Sequence, residues 1–469
     1  MSSKTPVFIP FRTWEYMSVT TNQRCHTGLF CAAMKLRLLA LLGLSMMASA
    51  IPVHLLPRWE PTYNMSMSTI IQPCNFSGQM DAHFLAKWGI ASIDWSNAHA
   101  VWANTKPMNS DELLLEQAKS IKSLNPDTKV WVYRNIVKAL PWFTTVREKI
   151  LDPAYSGWFL KFRDGAHGEG YTSPSCTKGQ GCSEFYHDQL QTPTDKGSGL
   201  KPGRFAAWCN ETCDCGHQQD GTLLPCGEYL FDHRNSSLGN WFVQEFFLGA
   251  LGLGSKYVDG YFLDDVWSGH GSWGCSLTSP FGGPSECADN CTDDMGLNVS
   301  TFTDIQTAWH QNYVVAKAVS VAAGGFSWQL LNGISAPPIG PGATAQCTAF
   351  FEEACAPNSD IHDSASALFF TNSSTGRAPF WKTDLAAFLL VRGPFAWIGH
   401  AWYGCVDRNE PVGGPGEYYE RPPALDEDYG EPEGLCLQTK PGVFSRKYSK
   451  ANIEYDCNHG GSATLQKLP

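Results

Sequence analysis

Eight short apolar runs rich in β-forming residues recur between residues 88 and 457, and stretches with helical period separate several of them. They read WGIASIDW (88–95), KVWVYRN (129–135), GEYLFDHRN (227–235), VDGYFLDDV (258–266), GFSWQLLNG (325–333), CTAFFEE (347–353), PFAWIGHAW (394–402), and VFSRKY with NIEYDC (443–457). This alternation constrains the fold more than any other feature. Strands joined through helices run parallel, because the crossover returns the chain to the start of the next strand. The connecting stretches agree. In NSDELLLEQAKSIKSLNP, Asn109 is the expected cap with Glu112 three residues on; Leu114, Ala118 and Ile121 share a face, and Pro126 ends the helix. SSLGNWFVQEFFLGALG begins at Asn235 or Ser236 and puts Leu238, Trp241, Phe242 and Phe246 on one stripe. A third helix is expected over TFTDIQTAWHQNYVVAKAVSVAAGG. The expected fold is α/β: a (β/α)8 TIM barrel with long disulfide-rich loop insertions, a single domain over 51–469. The insertions fall at about 142–226, 268–300 and 403–440. A doubly wound sheet is the alternative, but no GxGxxG or Walker loop accompanies it to hold a nucleotide.

The composition supplies a large core: 43% of the 469 residues are hydrophobic and only 17% charged. A net charge of −11 without a Lys/Arg cluster leaves no phosphate footprint, so nucleic acid is excluded as a partner. No cofactor motif and no metal-ligand spacing is recognised, and neither a cofactor nor a metal is expected.

Several of the runs are apolar until their last residues and polar there. They end in Asp94, Trp95 and Asn97; Arg134 and Asn135; Asp232, His233, Arg234 and Asn235; Asp264, Asp265 and Trp267; Asn332; Glu352 and Glu353; and His400, Trp402 and Tyr403. A barrel carries its active face at the C-terminal ends of its strands, where such residues would line one cleft. Individually most have a plain structural use. Asn235 or Ser236 would serve as a helix N-cap, Asp232 and Arg234 as a local ion pair, and a lone His400 as a framework residue.

The acid pair in YVDGYFLDDVW (257–267) is harder to explain as structure. An unpaired carboxylate buried in a core costs several kcal/mol, roughly, so Asp264 and Asp265 at the end of an apolar strand point to a site. The order FDHRN, helix, VDGYFLDD resembles glycoside-hydrolase-like TIM barrels of the polygalactosaminidase type. In these a D-x-x-N helix start precedes a strand of the form D-G-φ-φ-φ-D whose last Asp is catalytic. The resemblance implies that Asp264 is catalytic and that Asp259-Gly260 opens the strand. It covers roughly 85–458 as a layout and is specific around Asp232–Trp267; LDEDYGEP (425–432) before GVFSRKY also resembles the endings of such proteins. The chitinase pattern D-G-x-D-x-D-x-E is not met, because Phe262 and Val266 stand at its second Asp and its Glu.

Glycoside cleavage needs one carboxylic acid to protonate the leaving oxygen and a second carboxylate to attack carbon or activate water. The expected catalytic set is Asp264, Glu353 and Asp265, with Asp94 in reserve for Glu353 and Asp265 in a positioning role. The expected substrate-binding set is Asp94, Trp95, Asn97, Tyr133, Arg134, Asp232, Arg234, Trp267, Asn332, Glu352, His400 and Trp402. Among these Trp95, Tyr133, Trp267 and Trp402 would stack on sugar faces. The expected partner is a carbohydrate substrate. A non-catalytic carbohydrate-binding barrel, lectin-like or a cell-wall glycoprotein, is the alternative. A metal-dependent deacetylase lacks an HxxxH partner motif, and a serine hydrolase lacks its GxSxG elbow.

Met34 opens a leader-like segment: Lys35 and Arg37, the apolar run Leu38–Met47, then Ala48-Ser49-Ala50 as a cleavage site. The expectation is a signal peptide over 34–50, an upstream extension over 1–33 and a secreted protein. A membrane enters only if the leader is retained as an anchor. Of the 17 Cys, fifteen follow this leader, and clusters at 176–226 and 275–291 are expected to form disulfides rather than a zinc site. Sequons at Asn64, Asn75, Asn210, Asn235, Asn290, Asn298 and Asn372 fit a glycosylated exported chain.

Overall fold

A computed structural model describes residues 62–65, 68–71, 75, 77–105, 107–161, 187–188, 228–265, 267, 297–329, 334–335, 337–357, 359, 368–370, 381–394, 396–400, 421–459 and 461–468. In chain order the strands are β1 (Thr69–Ile71), β2 (Ile90–Ile93), β3 (Lys129–Asn135), β4 (Lys138–Ala139), β5 (His187–Asp188), β6 (Glu228–Leu230), β7 (Gly260–Asp264) and β8 (Phe326–Gln329). They continue as β9 (Ile334–Ser335), β10 (Leu368–Phe370), β11 (Trp397–His400), β12 (Leu437–Lys440), β13 (Val443–Tyr448), β14 (Ala451–Asp456) and β15 (Ser462–Lys467). The α-helices are α1 (Ala82–Leu85), α2 (His99–Asn104), α3 (Ser110–Leu124), α4 (Thr144–Leu151), α5 (Ser236–Trp241), α6 (Val299–Ala322), α7 (Thr344–Ala354) and α8 (Trp381–Val391).

Eight strands form one parallel sheet in the order β8-β7-β3-β2-β1-β11-β10-β9. The order follows the chain, and the last of these strands, β11, returns to pair with the first. The sheet is strongly curled. Trp131 of β3, Phe326 of β8 and Trp397 of β11 meet ring to ring at 5.3–5.7 Å, although β8 and β11 stand at separate places in the strand order. These rings define the inner face. The helices bury their stripes on the outer face, as Leu114, Ala118 and Ile121 of α3 do. Asn109 precedes α3 but makes no side-chain cap, contrary to the pattern of its sequence. Asp111 instead caps the next helix, accepting from the Thr144 N–H at 3.0 Å. The stripe after Asn235 is buried as expected, but from Phe242 to Phe247 its helix widens to π.

Three of the eight expected strands are not in this sheet. CTAFFEE lies in α7, where Cys347, Phe351 and Ala354 are buried at helical spacing; the adjacent phenylalanines hide that period. GEYLFDHRN contributes only β6, antiparallel between β4 and β5. VFSRKY and NIEYDC are β13 and β14 of a separate antiparallel sheet, β12-β13-β14-β15. Only Ser449 and Lys450 join those two strands, and a connection that short makes a hairpin, not a crossover. The sheet is completed by β1, β9 and β10, of two or three residues each, too short for their patterns to register.

The C-terminal sheet is anchored on α8. The Arg446 guanidinium donates to the carbonyls of Leu389, Leu390 and Arg392, which the helix end leaves without partners, and Tyr448 Oη donates to Leu389 O at 2.6 Å. Disulfides Cys347–Cys457 and Cys355–Cys436 tie α7 to the same sheet region. The leader, the cysteine clusters at 176–226 and 275–291, and the sequons at Asn210, Asn290 and Asn372 lie outside the described residues. Among the described residues no helix is long and apolar enough to cross a membrane.

Candidate active site

Strand register decides which polar ends share a face. Ser92 pairs with Trp131, Tyr133 with Phe262 and Asn135 with Asp264. With side chains alternating along each strand, Asp94, Tyr133, Asn135, Phe262 and Asp264 therefore follow the inner face defined by Trp131. Arg134 follows the outer one. Its guanidinium donates to the carbonyls of Tyr133, Phe246 and Leu251 and lies against the rings of Phe143, Phe246 and Tyr261. Arg134 thus holds β3 to the π-helix.

At the inner rim, Tyr133 Oη donates to Asp264 Oδ2 at 2.9 Å, and the Asp265 N–H donates to Asp264 Oδ1 at 2.9 Å. Alternation would send Asp265 outward. Its backbone instead turns left-handed, with φ of 54°, a conformation uncommon for a residue with a Cβ. That turn brings its carboxylate back to the inner side, where Oδ2 accepts from Asn135 Nδ2 at 2.7 Å and lies 3.6 Å from Lys138 Nζ. Asn135 is fully used: it also donates to Tyr133 Oη at 3.0 Å and accepts from the Val137 and Lys138 N–H groups at 2.8 and 2.7 Å.

Burial, and then the neighbouring Asp265 charge, push the Asp264 carboxyl up to about 8; Lys138 and the two hydrogen bonds pull weakly the other way. The upward direction favours the protonated carboxyl, and the side chain remains partly exposed at the rim. Burial, followed by the charges of Asp264, Asp265 and Asp94, raises the Tyr133 phenol well above its ordinary value, so Tyr133 is a neutral donor.

The remaining expected residues separate into near and far. Asp94 reaches the site, since its charge bears on Tyr133, and it accepts from the Ser96 N–H at 3.0 Å. Trp95 flanks it, half-buried against Tyr133, Trp102 and Trp142. Asn97 is a framework hub: it accepts from the Asn75 and Met80 N–H groups and donates to Gln117. Asp232 and Arg234 form the local bidentate pair, at 2.6 and 2.8 Å. Trp267 is buried against Phe302, leaving no face for a sugar. Glu352 and Glu353 are exposed on α7, so the strand-end placement that recommended them does not hold. His400 ends β11, whereas Asn332 and Trp402 lie outside the described residues.

Lys138 was not singled out from the sequence. Its signal was there: one cation inside the apolar run Ile136, Val137, Ala139, Leu140, close after a strand end. His233 was read only as a strand-end residue. It is buried, its Nε2 donates to Ile136 O at 2.5 Å, and its Nδ1 accepts from Asn312 Nδ2 at 2.9 Å. Burial drops its imidazole to about 4, so it is neutral in this loop. Among the described residues no cluster of three or more His, Cys, Asp or Glu could hold a metal ion.

No protein-family model and no curated protein sequence matches the chain. Among solved structures it is similar to the cyclic α-maltosyl-(1→6)-maltose hydrolase of Arthrobacter globiformis in complex with maltose, at 10% identity and a TM-score of 0.30, covering 85% of this chain and 86% of the other. The ligand-free form of that hydrolase matches at the same identity and TM-score, covering 89% and 97%. Likeness at that TM-score is too slight to carry an argument about chemistry.

Proposed function

We propose that the chain is a glycoside hydrolase on a (β/α)8 barrel, with Asp264 as the general acid. The observation that carries this reading is the placement of Asp264 at the C-terminal end of an inner-facing strand, hydrogen-bonded by Tyr133 and beside Asp265, where burial raises its carboxyl above the ordinary carboxylate range. A proton donor to a leaving glycosidic oxygen must be protonated at working pH, and the raised Asp264 carboxyl suits that role. The barrel reading rests on the sequential parallel order, on the return of β11 to β1 and on the ring contacts across the curled sheet.

Asp94 takes the second carboxyl role that Glu353 no longer fits. It follows β2 and Asp264 ends β7, with β3 between them, so their backbones stand about 10 Å apart, two ladder steps. Of the two arrangements, the proposal takes the inverting one, in which a water lies between the second carboxyl and the sugar. In this mechanism Asp94 draws a proton from water as it attacks the anomeric carbon. Asp264 gives its proton to the departing oxygen, and Trp95 offers a ring face to the sugar. The polygalactosaminidase-type resemblance around Asp232–Trp267 and export through the leader at 34–50 belong to the same proposal.

The test is a digestion panel of polysaccharides with the native protein and with Asp264→Asn, scored by released reducing ends. Hydrolysis by the native protein and its loss in the variant are expected. Binding without hydrolysis in both would favour the lectin-like alternative.

A further inference from the structure

We propose that Lys138 is a positioning residue that acts on Asp264 both by its own charge and through Asp265, which Asn135 holds in place. The proposal rests on the reading of Asp264 as the acid, and it adds residues and a mechanism of control to that site.

The geometry carries it. Lys138, Asp265 and Asn135 are all buried, at 4%, 6% and 1% exposure. A buried carboxylate such as Asp265 is tolerated only when paired and hydrogen-bonded, and Lys138 and Asn135 supply both. The same Asn135 accepts the Lys138 N–H, so the turn that leaves β3 and starts β4 also aims the lysine at Asp265. Asp265 in turn sits left-handed, and only in that conformation does its carboxylate face Asn135 while its N–H donates to Asp264 Oδ1. A left-handed backbone at a residue with a Cβ is strained and persists where surrounding contacts hold it. Here the holding contacts end at a single atom of the acid.

The charged and titratable groups around Asp264 are Asp265 next to it, Tyr133 on β3, Lys138 on β4 and, bearing on Tyr133, Asp94 after β2; β8, the other strand paired with β7, carries none. Asp265 makes it harder for Asp264 to ionise, and Lys138 makes it easier. The two therefore form an adjustable couple behind the acid: losing either partner alone unbalances it, in opposite directions. Lys138→Met leaves the Asp265 charge uncompensated and raises the Asp264 midpoint; Asp265→Asn lowers it.

The experiment is a carboxyl ¹³C NMR titration of the full chain without substrate, with the Asp264 signal assigned by its loss in Asp264→Asn. The expected shifts are about one pH unit upward in Lys138→Met and about one downward in Asp265→Asn, with Lys138→Arg near the native midpoint. Because Lys138→Met buries an unpaired carboxylate and can fail to fold, the double variant Lys138→Met/Asp265→Asn is compared with Asp265→Asn alone. The double variant should titrate higher. Unchanged midpoints in folded variants, or equal midpoints in that last pair, would overturn the proposal. Since the readout needs no turnover, shifted midpoints with no hydrolysis of any glycan would refute the glycosidase reading and leave this one standing.

Discussion

Strand β7 has an aspartate at each end, and the two are held in opposite ways. Asp259, just before the strand, accepts the Val130 N–H at 2.8 Å and pairs with Lys122 at 2.6 Å. It meets a cation directly and fastens β7 to β3 and α3. Asp264, five residues on, meets a phenol and an amide N–H, with another carboxylate beside it and the lysine directed at that neighbour instead. The one end spends its carboxylate on pairing, and at the other burial and a like charge favour the protonated form. The same residue type at the two ends of one strand thus meets a cation at one end and a like charge at the other.

Asp264→Asn removes the proton donor, and the proposed hydrolysis should fall about 10²–10⁴-fold, read as kcat/KM on the responsive polysaccharide. Asp259→Ala should do the converse. Losing its ion pair and hydrogen bond is expected to cost about 1–3 kcal/mol in denaturant unfolding, with kcat/KM per folded molecule kept within about twofold. An equal loss of activity in both variants would erase the distinction between the two ends.

The pH dependence sharpens it further. Activity should decline as pH rises through about 8, where Asp264 gives up its proton. Stability carries the same signature with a definite sign. The fold keeps this proton up to about 8, whereas an unfolded chain releases it near 4, so the folded state binds more protons between those values. The Asp264 contribution to stability is thus full below about 4 and is lost as pH climbs to about 8. Asp264→Asn should therefore unfold at higher denaturant than the native protein at pH 9, with the gap closing by pH 4.

The smallest expected effect lies outside the site. Burial first, and then Asp111, push the Glu112 carboxyl at the start of α3 up to about 8. Glu112→Gln should flatten part of the same pH slope in unfolding experiments and leave the alkaline limb of activity where it was.

The placement of Asp264 and Asp265 at a strand end was legible in the sequence, because β3, β7 and the strand leading to Asp94 are four to seven residues of clear pattern, although Asp259 in the same run proved structural. Glu353 was misplaced for a local reason: two aromatic residues imitate a strand where the wider spacing of Cys347, Phe351 and Ala354 is helical. The network behind Asp264 was not legible. Nothing in the letters Asp-Asp shows that the second adopts a left-handed backbone without a glycine, and only the fold-back of β4 brings Lys138 to it. Arg134 shows the reverse case, a strand-end cation that alternation turns away from the cleft.

The most direct test is the midpoint of Asp264 itself, from the carboxyl ¹³C titration of the native chain. A midpoint near 8 is predicted, because burial and Asp265 outweigh Tyr133, Lys138 and the amide. A midpoint near 4, the ordinary carboxylate range, would mean that Asp264 is ionised at neutral pH and is not the acid of this site.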